Sequence, residues 1–134
     1  MRNLKSVLVA FVLAAAAALP ATAAELGVQK STDRSVTVAV TPQNLADGAG
    51  SWDFKIVLDT HSADLGDDLT KSAILIDGDG RRYTPVAWDG AGPGGHHREG
   101  VLRFKPISPR PQSVELQIAR NGEAAPRAFR WQLN

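Results

Sequence analysis

The chain has no cysteine, so its fold must hold by packing without disulfides, and neither a thiolate metal site nor a lipid-modified cysteine anchor can form. Its one methionine is Met1, which removes thioether ligands from the rest of the chain and argues against a soft Cu(I) site. No Asn-x-Ser/Thr acceptor occurs, and there is no G-x-S-x-G elbow of the kind that carries a nucleophilic serine. After residue 24 no run is long and apolar enough to span a bilayer, and no segment keeps a helical period over the needed length.

What is present begins with a short basic start, Met1–Lys5, an apolar Ala-rich run from Ser6 to Leu19, then Pro20 and Ala21-Thr-Ala-Ala24. This order predicts a secretory signal over residues 1–24, cleaved before one domain of residues 25–134. Small residues follow the run where a stop-transfer flank would be basic, so the expected product is exported and soluble, without stable membrane insertion. The A-x-A exit fits a periplasmic location, with secretion as the variant of the same route. Removing residues 1–24 takes Arg2 and Lys5 away, so 15 basic and 14 acidic residues become 13 and 14, a formal charge of −1. Such a balance exerts no general pull on nucleic acid or anionic lipid.

The remaining sequence reads as short alternating runs broken by turn residues, the pattern of an antiparallel all-β domain. Val36, Val38 and Val40 share one face, as do Trp52, Phe54, Ile56 and Leu58. Ala73–Ile76 is continuously apolar, which predicts cover on both faces, and Asp77-Gly-Asp-Gly80 supplies a tight turn. Tyr83–Trp88 reads as the return strand, followed by Val101–Lys105, by Val114, Leu116 and Ile118, and by Phe129, Trp131 and Leu133. Glu25–Arg34 offers a poorly alternating edge strand. About seven strands with turn signals at this spacing predict a single immunoglobulin-like antiparallel β-sandwich, with Trp52 in the packing role of the missing cystine.

Three histidines are the most suggestive feature for chemistry. His61 follows the Trp52–Asp59 strand, while His96 and His97 lie in Gly94-Gly-His-His-Arg-Glu-Gly100. If each strand crosses the sandwich once, all three emerge at one end, where Asp59, Asp64, Asp67, Asp68 and Asp89 supply carboxylates. An N/O set of this kind suits Zn²⁺, Cu²⁺ or Ni²⁺, with His61, His96, His97, Asp59 and Asp64 as candidate ligands. The plainer reading is that loop histidines are solvated or cap a strand end, and adjacent histidines on extended chain point to opposite sides.

Asp64-Leu-Gly-Asp-Asp68 lacks the glutamate and regular spacing of a Ca²⁺ loop, and Asp77-Gly-Asp-Gly80 continues with Arg81 and Arg82 where an EF-hand needs a ligand and a glycine. Both read as loops. Pro106-Ile-Ser-Pro-Arg-Pro111 reads as a rigid inter-strand connection, and Arg81, Arg82, Arg127 and Arg130 as a solvated β face.

The runs Trp52-Asp-Phe-Lys-Ile-Val-Leu-Asp-Thr-His-Ser62, Asp68-Leu-Thr-Lys71, Gly94-Gly-His-His-Arg-Glu-Gly-Val-Leu-Arg-Phe104 and Pro106–Pro111 together resemble a family of uncharacterised exported bacterial proteins. The resemblance implies a single immunoglobulin-like β domain and brings no activity, substrate or cofactor with it. The expectation is therefore a non-catalytic exported β-sandwich that binds a divalent transition metal through its loop histidines. The alternative is a module that docks another envelope protein through an edge strand or these loops, without metal.

Overall fold

The computed structural model describes residues 26–133, so the signal segment expected over residues 1–24 lies outside the described residues. The chain forms β1 (Gln29–Asp33), β2 (Val36–Asn44), β3 (Trp52–Thr60), the single helical turn α1 (Leu69–Ser72), β4 (Ala73–Asp77), β5 (Arg82–Tyr83), β6 (Ala87–Gly90), β7 (His97–Phe104), β8 (Ser113–Ile118) and β9 (Arg127–Gln132). All strand pairs are antiparallel. One sheet runs β1-β2-β3-β7-β6 and the other β5-β4-β8-β9. With β2 to β9 taken as strands A, B, C, C′, D, E, F and G, these orders are A-B-E-D and C′-C-F-G, the strand order of an immunoglobulin sandwich. β1 adds a further edge strand beside A.

Period-2 alternation drives this arrangement: along β3 every inward side chain, from Trp52 to Leu58, is fully buried between flanking outward positions. The core takes Val36, Val38, Val40, Leu75, Leu102, Phe104, Leu116, Ile118 and Phe129 from both sheets. Its aromatic centre is Phe54, with Phe104 edge-on at 5.7 Å and Trp131 tilted at 5.6 Å. Trp52 is fully buried but serves one end, where its indole N–H donates to Ala46 O at 3.0 Å.

Several expectations are corrected. The described residues hold nine strands, because Gln29–Asp33 does pair and because Tyr83–Trp88 is two strands in different sheets. Pro85, which has no N–H to give a ladder, sits at the crossing, and Val86 N–H picks up Arg103 O at 2.8 Å in the new sheet. Ile74 and Ile76 on the outer face of β4 are only half-buried, so that strand is covered on one side. Arg127 is not on a solvated face: its side chain is 3% exposed and pairs with Glu123, itself 2% exposed, at 2.7 Å.

The two lateral margins differ. At the β1/β9 margin, the Gln29 amide bonds both main-chain groups of Arg130, while Arg127 donates to the main-chain oxygens of Ser31, Asp33 and Val36. Trp131 Nε1 adds a bond to Gly27 O at 2.9 Å. These side chains occupy main-chain groups that an exposed edge would offer to another strand. The β5/β6 margin is protected by brevity instead, with Pro85 and Pro93 bounding the four-residue β6.

Candidate functional site

Register fixes which loops share an end. Asp59 near the end of β3 faces His97 at the start of β7, and Ile118 at the end of β8 faces both Ala73 and Arg127. The 61–68, 91–96 and 119–126 loops therefore leave the sandwich together, at the end where immunoglobulin variable domains carry binding loops.

The structure brings all three histidines to this end. His61 is exposed on a bend just past β3, and His96 is exposed with its carbonyl accepting from Thr60 N–H at 2.9 Å. His97 is a strand residue rather than a loop residue, and its ring lies on the outer face of the first sheet. There Nδ1 meets Asp59 Oδ1 at 2.5 Å and Nε2 faces Glu99 Oε2 at 3.5 Å, while Glu99 pairs with Lys55 at 2.8 Å. The Asp59 hydrogen bond, aided by its charge and by Glu99, raises the His97 pKa above the usual imidazole value. Lys55 holds the Glu99 carboxyl low. Of the candidate ligands, Asp59 and His97 thus meet as an ion pair, and His61, His96 and Asp64 make no side-chain bond to them among the described residues. Among the described residues no three His, Cys, Asp or Glu side chains gather in a way that would hold a metal ion.

A groove of about 560 Å³ opens at the same end between the 64–72 segment and residues 119–121. Its walls are polar and include Asp64, Asp67, Asp68, Lys71 and Arg120. Arg120 is fixed there by Asp67 Oδ2 at 2.7 Å, Asp64 O at 3.0 Å and Glu123 at 3.5 Å. Asp68 caps α1, accepting from Thr70 N–H at 3.0 Å and from the Thr70 hydroxyl at 2.6 Å, and the hydroxyl bond contributes most to lowering its pKa. The acidic 64–68 loop is therefore ordered by its own partners.

Sequence reasoning missed the two arginines that shape this end. Arg98 shares the inward parity of Leu102 and Phe104 and is 2% exposed, a placement that alternation along β7 does signal. It bonds main-chain carbonyls of both the 61–68 and 91–96 loops. Arg120 and Glu123 carry no such signal, since their pairing depends on how the β8–β9 loop folds back. Among the described residues no helix is long and apolar enough to cross a membrane. Comparison with protein-family models, with curated proteins and with solved structures gives no match.

Proposed function

We propose that this is a non-catalytic, exported binding module that docks another envelope protein through the loop end formed by residues 61–68, 91–96 and 119–126. The observation that carries this reading is the groove of about 560 Å³ between the first and last of these loops, in whose wall Asp67, Asp68 and Arg120 are held in place by an ion pair, a helix cap and main-chain bonds. Recognition favours such preorganised loops on a rigid scaffold, because little ordering remains to be done on binding. The non-catalytic part rests on the same residues: Asp67, Arg120 and Glu123 are committed to one another, and Asp68 to its cap. The flat outer face of the first sheet is a weaker docking candidate, because its charges pair internally as Asp53–Arg103–Asp89 and Lys55–Glu99–His97–Asp59.

Photo-crosslinking groups placed at Asp64, Lys71 and Asn121 in producing cells are expected to give one discrete adduct. The same group at Thr41 or Gln117 on the sheet faces is expected to give none, and equal labelling from all positions contradicts the reading. Calorimetric titration with Zn²⁺ and Cu²⁺ separates the metal alternative: one saturable site lost on His61→Ala and His96→Ala would replace docking by metal binding. Export is checked by intact mass of the periplasmic fraction, which is expected to begin at Ala24 or Glu25.

A further inference from the structure

We infer that the 61–68 and 91–95 loops form one cooperative latch closed by Arg98, which couples the 91–95 loop to the groove beside Arg120. The inference deepens the recognition reading above by giving its surface a means of regulation. Arg98 Nη1 donates to Leu65 O at 2.9 Å and Asp67 O at 2.7 Å, while Nη2 and Nε approach Ala91 O at 3.2 and 3.4 Å. Its guanidinium carbon stands 5.7 Å from the centre of the Trp88 ring, and among the described residues no carboxylate pairs with it.

A buried cation whose hydrogen bonds all go to main-chain carbonyls, with the Trp88 ring beside it and the Asp68 charge near enough to feel it, stays desolvated at tolerable cost while those carbonyls are in place. Withdrawing either loop takes away that loop's acceptors and lets water compete for the guanidinium, which loosens its hold on the other loop, so the closed state of one stabilises the closed state of the other. Gly94 N–H adds a direct bond to Leu65 O at 3.1 Å. Asp67 then extends the link, giving its main-chain oxygen to Arg98 and its carboxylate to Arg120 at 2.7 Å. The 91–95 loop lines none of the groove, yet a contact made on it changes the stability of the groove wall, and a ligand in the groove acts back on the loop to the same degree.

Native-state hydrogen exchange on the free exported protein tests the latch. The Ala91 amide, which bonds Glu99 O at 3.1 Å, and the Ala63 amide, which bonds Thr60 Oγ1 at 3.0 Å, are expected to exchange through openings with the same urea dependence, smaller than that of β3 amides. Arg98→Lys, which keeps the charge but loses the fork, is expected to speed both amides by a common factor of about ten to a hundred and to leave β3 unchanged. Acceleration of one loop alone, or different openings for the two loops in the wild type, overturns the latch. Should Arg98→Lys fail to fold, the wild-type comparison decides. Because no partner is present, a missing partner footprint would overturn the recognition reading and leave this result standing.

Discussion

Gly100 has no room for a side chain: a Cβ there would lie 2.7 Å from Gly90 Cα and 2.7 Å from the Trp88 ring, which lies across the pair and donates its N–H to Ala91 O. Gly100→Ala is expected to cost about 1–3 kcal/mol in urea unfolding, since backbone rather than a flexible tip must give way. Phe104→Ala removes the edge-on partner of Phe54 and is expected to cost about 3–5 kcal/mol; a loss under about 1 kcal/mol would mean the ring does not fill the core. His97 gives a pH signature. Its pKa is raised on folding, so its stabilising contribution is full below about pH 6.5 and disappears as pH rises through the folded value. The urea midpoint of His97→Gln should therefore fall further below wild type at acid pH than at alkaline pH, and Asp59→Asn should shrink that difference. The side chains that alternation puts on shared faces, Val36, Val38 and Val40, then Trp52, Phe54, Ile56 and Leu58, are all buried, as are Leu116 and Trp131 in the later strands. Asp59 and His97 were legible as candidate ligands at one end, but their direct pairing on the sheet face was not, because it depends on the β3/β7 register and not on spacing along the chain.

At the scale of elements, β1 was hard to read for a physical reason. Its hairpin to β2 turns on Arg34 and Ser35 at φ 46° and 63°, the two left-handed positions that Asn-Gly ordinarily fills, so no turn signal announces it. Ser35→Gly is expected to stabilise by about 1 kcal/mol by relieving that conformation, measured as a raised urea midpoint with unchanged slope. Splitting of the return strand was foreshadowed by Pro85, whereas which sheet each half joins rests on long-range pairing. The Arg127–Glu123 pair ties the β8–β9 loop to β9, and through Arg127 to the main chain of β1. Glu123→Gln leaves the Arg127 charge buried without its partner and is expected to cost about 3–5 kcal/mol; a cost near that of a surface pair would contradict the burial.

For the whole molecule, counting strand crossings along the sequence was enough to place the three histidines at one end, because β3, β4 and β7 each traverse the sandwich once and the short β5 and β6 together make the single return crossing between β4 and β7. It was not enough to find what organises that end, since the ordering groups are arginines bonded to loop carbonyls whose positions only the folded chain defines. The resulting picture is an immunoglobulin strand order with three loops gathered at one end, one margin sealed by Gln29 and Arg127, and a groove where two of those loops meet. The most direct test of that account is a hydrogen-exchange footprint of the protein with the purified partner captured from Asp64, Lys71 or Asn121. Protection confined to residues 61–72, 91–96 and 119–126 is the predicted result, and protection centred on the outer face of β3 and β7 or on the β5/β6 margin would contradict it.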